Sequence, residues 1–330
     1  MNLITDPWIP VIRQDGPDKI MPWQIVEAKN PVIEINAPRP DFQGALYQFL
    51  IGLLQTCFAP EDDVAWEKNW ARPPQPDELK AAFRKVKEAF ELDNPGGIAF
   101  MQDYDLPDGE HKKIAALLIE APGGKTLKDN LDHFVKRDQI NCLCSACTAT
   151  ALFTLQTNAP AGGSGHRVGL RGGGPLTTLI VPETTAAFLW KKLWLNVLDQ
   201  EEIAGAEPAE SSVMPWLGAT RLSEKKEAIT TPSDVHALQM YWGMPRRIRL
   251  GQNEGSGKCD LCGKQATSLY KGYRTKKHGI NYDGPWVHPL TPDRFDPKKK
   301  NLPLPLKGQK GGLGYRHWLG LALQDAEMGN

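Results

Sequence analysis

The sequence predicts an α+β fold: one large, irregular, loop-rich domain over residues 1–330, stapled by a single four-cysteine metal site. Three observations predict it. Cys144-Ser-Ala-Cys147 and Cys259-Asp-Leu-Cys262 are two Cys-x-x-Cys pairs standing far apart in the chain. Apolar residues at three-and-four spacing, the mark of amphipathic helices, alternate with short apolar and aromatic runs that read as strands. The 330 residues include 31 Gly and 27 Pro, which places much of the chain in turns and loops.

The elements follow in order. Asn2 to Val11 reads as a strand broken by Pro7 and Pro10, hence an edge strand or an extended lead-in. Pro40-Asp41 starts a helix whose stripe is Phe42, Ala45, Leu46, Phe49, Leu50, Leu53, Leu54 and Cys57, ended by Pro60. A second helix is expected over 77–92, with Leu79, Ala82, Phe83, Val86 and Phe90 inward, stopped by Asn94-Pro95-Gly96-Gly97. The pattern weakens from 100 to 141. Asp103, Asp105, Asp108 and Glu110 lack the spacing of a calcium-binding EF-hand. A helix is expected from Cys147 to Gln156, then a glycine-rich loop over 159–175 carrying Arg167 and Arg171. A strand over 176–181, a helix over 184–197 and a long acidic loop over 199–233 come next. Residues 268–282 read as two strands around a basic turn, Arg274-Thr275-Lys276-Lys277-His278.

Two sulfurs at Cys-x-x-Cys spacing bind one ion from a tight knuckle, and two knuckles complete a tetrahedral four-thiolate zinc site with no position left for water. Cys144, Cys147, Cys259 and Cys262 are therefore the expected ligands of a structural zinc ion. Disulfides or plain core thiols are the alternatives, and nothing here resembles a thioredoxin unit. Cys142 competes as a ligand, two residues before the first pair, whereas Cys57 reads as a core thiol.

Composition bounds the function. The net charge of zero hides an asymmetry: from Tyr241 onward there are 16 Lys and Arg against 7 Asp and Glu, a net of +9, balanced by −9 on the first 240 residues. A basic third on an acidic body suits a partner bearing phosphates. No stretch is long and apolar enough to span a membrane and the N-terminus lacks a signal-peptide pattern, so the expectation is a cytoplasmic protein without membrane partners. Enzyme signatures are missing. Gly257-Lys258 is no Walker loop, the glycine run follows no strand, no His-x-Glu of a zinc deaminase occurs, and Gly162 to His166 falls short of a nucleophile elbow. No catalytic residue is expected.

Several motifs stand in a familiar order: Asp6-Pro7-Trp8-Ile9-Pro10-Val11, the two Cys pairs, Cys147-Thr148-Ala149, Gly169-Leu170-Arg171-Gly172-Gly173, Tyr270-x-Gly272 and Trp286-x-His288-Pro289. In that order the chain resembles the CasA (Cse) family, the large subunit of the type I-E CRISPR Cascade surveillance complex, from its start to about His317. The resemblance implies an RNA-guided antiviral role. The family's subunit reads the protospacer-adjacent motif of duplex target DNA from the minor groove, helps to open the duplex into an R-loop, and displays a platform for the helicase-nuclease effector. The implied partners are therefore that duplex, the CRISPR guide RNA, the other Cascade subunits and the effector. Carried over by position, Lys277, with Lys276 beside it, matches the minor-groove lysine. Ala161, Gly162, Gly163, Ser164 and Gly165 match the glycine loop, and Phe134, Val135 and Lys136 match the loop that docks near the handle of the guide. Family members continue into a glutamine-bearing hairpin and a C-terminal four-helix bundle, whereas this sequence stops at Asn330 before both. The alternative is a stand-alone zinc-stapled nucleic-acid-binding or scaffold protein.

Overall fold

A buried phenylalanine on the first long helix gathers the core. Phe49 meets the rings of Trp8, Phe90, Phe100, Phe153 and Trp242 edge-on, at centroid distances of 5.2 to 6.0 Å. Edge-to-face contacts of this kind add to the burial energy of large side chains. They also explain how a loop-rich chain holds one core, because those rings arrive from widely spaced segments. The computed structural model describes residues 1–308 apart from 104, 105, 107, 133, 134, 136, 185, 186, 204–212, 225–227, 297 and 299.

Strands β1 (Ile9–Arg13), β2 (Gly16–Ile20) and β3 (Val32–Ile35) form an antiparallel sheet in the order β2-β1-β3. Of the span 2–11, expected as an edge strand or an extended lead-in, only residues 9–11 enter a strand, and that strand is central. Pro10 is tolerated there because β1 meets β3 only from Val11↔Ile35, so its missing N–H falls beyond that ladder, while its carbonyl still accepts from Asn36 N.

Helix α1 (Pro40–Cys57) matches its expected bounds, with Pro40 in the first turn. It is buried nearly all round rather than on one stripe, which requires its polar residues to find partners inside. Gln55 bonds both ways with Leu198, and Gln48 accepts from the buried Arg171. Helix α2 (Asp63–Ala71), capped by Asp62, was not expected. None of its residues is fully buried, so it lacks a periodic signal. Helix α3 (Pro76–Arg84) is shorter than expected and gives way to a 3-10 turn over Lys87–Phe90.

Strand β4 (Glu110–Lys113) and the short helix α4 (Gly124–Lys128) lie in the stretch where the pattern was weak. After β5 (Leu143–Cys144) comes α5 (Ser145–Asn158), which packs on α1. The expected strand over 176–181 is not formed. Leu176 and Thr178 make single backbone bonds to Leu306 and Leu290, and Ile180 and Val181 stay exposed. Helix α6 (Leu189–Trp194) is a single short piece of the expected 184–197. The acidic loop supplies a 3-10 turn over Pro215–Leu217, whose Trp216 is fully buried and donates to Ala89 O.

The basic third contains β6 (Arg247–Leu250), β7 (Gly257–Lys258), β8 (Gln265–Ala266), β9 (Leu269–Tyr270) and β10 (Gly272–Lys276), followed by the small pair β11 (Asp293–Arg294) and β12 (Leu304–Pro305). Strands were expected on both sides of a basic turn at 274–278; instead residues 274–276 lie inside β10, and beyond His278 the expected second strand is reduced to an isolated bridge between Tyr282 and Thr230. Strand β9 joins β5, while β10 is central in the order β4-β10-β6. Arg274 and Lys276 therefore belong to a central strand, and Lys277 and His278 follow its end, instead of capping a hairpin.

Candidate metal centre and nucleic-acid interface

The two Cys pairs meet. Their four sulfurs lie within 4.8 Å of one another, and Cys144 and Cys262 Sγ are 3.9 Å apart. The first knuckle is the turn from β5 into α5, with Cys144 at the N-cap and Cys147 in the first turn. The second caps the β7–β8 hairpin. Gly263 there takes φ +71°, which glycine adopts without steric cost, and its N–H closes the turn onto Cys259 O at 2.9 Å.

Two devices bring the knuckles together. Strand β5 pairs with β9 in the register Leu143↔Tyr270 and Cys144↔Leu269. The Asp260 carboxylate then accepts from Asn141 N at 2.7 Å and Cys142 N at 2.9 Å, while Asp260 N donates to Cys142 O at 3.1 Å. Those backbone bonds hold the Asp260 carboxyl below its usual range. Cys142 is therefore part of a backbone latch and stands outside the four-sulfur cluster. Cys57 is half-buried at the end of α1.

The donor set can hold a soft divalent ion. Hydrogen bonding to its three cysteine neighbours, together with burial, pushes the Cys147 thiol far up, whereas a hydrogen bond from Cys147 pulls Cys262 down to about 6. Four crowded thiols ionise together only around a cation, which is the condition a metal meets.

The glycine loop and the lysine match also meet. Strand β10 ends at Lys276, which is half-buried, and the exposed Lys277 follows it. His278 N donates to Gly165 O at 2.8 Å and Ser223 N donates to His278 O at 3.1 Å. Arg167 then grips Ser223 through two bonds of 2.7 Å. The stem of Lys277 crosses Gly165 so closely that a Cβ there would stand 2.9 Å from Lys277 Cβ, and Gly165 has φ +80°. Glycine is required on both counts. Ala161, Gly162, Gly163 and Ser164 are exposed, and Gly163 has φ +89° with open space where a side chain would go.

Of the expected docking triplet, Val135 alone is described; its N–H donates to Asp132 O at 3.0 Å. Phe134 and Lys136 lie outside the described residues. Asp103, set aside as a calcium ligand, is buried and paired with Arg247 at 2.6 Å. His288 is buried against the Tyr241 ring and accepts from Leu290 N, a structural role. Sequence reasoning missed Lys112, His166 and Arg246, which surround the glycine loop. The run Arg246-Arg247-Ile248-Arg249 was the available signal.

Fold and site together define an α+β domain whose two cysteine pairs meet at one four-sulfur cluster and whose glycine loop lies against Lys277. A family model described as CRISPR-associated protein Cse1 matches residues 2–330. The chain belongs to the CRISPR-associated Cse1 family. It is similar to a protein from Thermus thermophilus described as CRISPR-associated protein CasA/Cse1, with 26% identity over 165 residues, covering 49% of this chain and 32% of that protein. Its fold matches Thermobifida fusca Cse1 with a TM-score of 0.67 at 19% identity, over 97% of this chain and 60% of that one. It also matches a chain of a structure titled CRISPR RNA-guided surveillance complex, with a TM-score of 0.62 at 14% identity, over 100% of this chain and 66% of that one. The chain thus spans about a third of the curated relative and roughly three-fifths of these solved chains. No helix among the described residues is long and apolar enough to cross a membrane.

Proposed function

We propose that the protein is the large subunit of a type I-E Cascade-like surveillance complex, acting without catalysis of its own. In this reading it recognises a short motif in duplex target DNA through the minor groove and helps to start unwinding. It works beside a guide RNA and other Cascade subunits in the cytoplasm, and offers a surface to the helicase-nuclease effector. The metal is a structural zinc ion, and the segment around Val135 docks near the handle of the guide.

The observation that carries this reading is the lysine held against the glycine loop. The minor groove is narrow and offers mostly acceptors. A slender ammonium on a fixed stem, next to backbone bare of side chains, suits it. Because His278 is clamped on both sides, little ordering cost remains when Lys277 enters a groove. Sequence specificity proper belongs to guide–target pairing, as in other RNA-guided systems.

The test is a pair of binding curves, with and without the motif, for the assembled complex. Lys277→Ala should reduce motif-dependent binding by about 1–3 kcal/mol, the usual worth of a base contact. Lys276→Ala should weaken both duplexes alike. Equal losses on both duplexes for Lys277→Ala would make it a phosphate contact and not a reader. A tagged chain recovered from its host without guide RNA and companion subunits would point to the stand-alone nucleic-acid-binding protein instead.

A further inference from the structure

The glycine loop rests on an arginine that motif reading by Lys277 leaves unused. Arg246 stands just before β6, and its guanidinium donates to the Pro160 carbonyl. Its Nη1 occupies the space next to Gly162, where a Cβ would be only 2.7 Å away. Among the described residues no carboxylate pairs with it, and its Nε is buried without a hydrogen-bond partner. His166 flanks the same spot, its Cβ 2.9 Å from that Gly162 position, and its side chain makes no hydrogen bond or ion pair among the described residues. Topology adds more positive charge. The antiparallel order β4-β10-β6 brings the start of β4, the end of β10 and the start of β6 to one end of the sheet. Lys112 and Glu110 of β4 face Tyr273 and Thr275 there, with Glu110 already paired to Lys112 at 2.5 Å.

We propose that Arg246 and His166, backed by Lys112, form a seat for one backbone phosphate of duplex DNA beside the glycine loop, separate from the Lys277 probe. The inference rests on the duplex-reading function above and adds the contact that fixes the height of the backbone over the probe. A guanidinium offers paired donors matched to phosphate oxygens. The loop before it carries no bulk at Gly162 and Gly163, so a backbone can come close. Backbone contacts position a duplex and base contacts read it.

The seat also has a proton linkage. Burial, then the cations Arg246, Lys277 and Lys112, lower the proton affinity of His166 below that of an ordinary imidazole, while Glu110 opposes them. An arriving phosphate adds negative charge and raises that affinity, so docking takes up a proton. Affinity should rise as pH falls from about 7.5 and level off once His166 is protonated in the free protein too.

The experiment measures salt and pH dependence of duplex DNA binding by the assembled complex, with motif-bearing and motif-free duplexes and a short RNA hairpin as third probe. Arg246→Gln and His166→Gln should each reduce the slope of log affinity against log salt by about 0.9, one phosphate contact, on both duplexes. The ratio between the two duplexes should stay unchanged, and His166→Gln should abolish the rise in affinity at low pH. Unchanged slopes in both variants would overturn the seat while leaving motif discrimination by Lys277 intact. Reduced slopes in a complex that never discriminates the motif would keep the seat and remove the motif reader. If Arg246→Gln lowers only the discrimination ratio and His166→Gln changes nothing, Arg246 merely positions the loop and the proposal fails. Slope loss confined to the RNA hairpin would overturn the assignment to duplex DNA.

Discussion

Burial without an acidic partner keeps His288 neutral. Its proton affinity is pushed well below that of an ordinary imidazole by burial first and by nearby Arg171 second. In the unfolded chain the same group takes up a proton near pH 6.5. Below that pH the unfolded state holds more protons than the native state, so stability must fall as pH falls. The slope per such group is about 1.4 kcal/mol for each pH unit, until the native histidine itself protonates. Urea unfolding between pH 5 and 7 should show this loss, and His288→Gln, which cannot charge, should make the dependence shallower. His166 and His236 are shifted in the same direction, so some slope remains. Parallel curves for both proteins would mean that His288 does not carry the effect.

The glycine loop owes its shape to positions where a side chain has no room or no allowed backbone. Gly165 combines φ +80° with the crossing stem of Lys277. Gly165→Ala should therefore cost about 1–2 kcal/mol in backbone strain alone, and it should also displace the lysine. Gly163 has the same handedness but faces open space. Gly163→Asp sets a carboxylate among cations, so it should weaken target binding by the complex while leaving metal content and assembly intact. Normal duplex binding by both variants would give the loop a purely structural role.

At the scale of the whole molecule the staple and the aromatic core divide the work. The rings around Phe49 hold α1, α5 and the N-terminal sheet together, whereas the sulfur cluster ties the start of α5 to the β7–β8 hairpin. The path from Cys262 to Lys277 runs through β9 and β10, so a metal held by the four sulfurs would help to fix the strand that leads to Lys277. Metal analysis should find about one zinc per chain, as a closed four-thiolate site requires. Cys144→Ser or Cys259→Ser should each lose it and lower the thermal midpoint by on the order of 10 °C, the effect of several kcal/mol in a chain of this size. Cys142→Ser should keep the metal. Loss of metal in Cys142→Ser with retention in Cys144→Ser would reverse the ligand assignment.

The sequence by itself determined those features whose signal is local or carried by rare residues. The paired cysteines announced the staple, Pro40 and the apolar stripe after it announced α1, and glycines announced the loop at 161–165. Tertiary structure alone decided the pairings. Nothing local in Leu269-Tyr270 says that it joins Leu143-Cys144 and not its neighbour Gly272–Lys276, since strand partners are chosen by which apolar faces the core buries. Helix α2 was silent because it buries no full stripe, and the 176–181 run looked like a strand because single-residue propensity ignores whether a partner edge is present. Cys142 stands next to the first pair in sequence, but in space it lies outside the four-sulfur cluster and the Asp260 carboxylate accepts from its backbone N–H. The cationic surround of the loop was equally hidden. Lys112, His166, Arg246 and Lys277 lie on four separate segments; the order β4-β10-β6 gathers the strand-borne charges, and the bond from His278 N to Gly165 O brings the loop with His166 beside them.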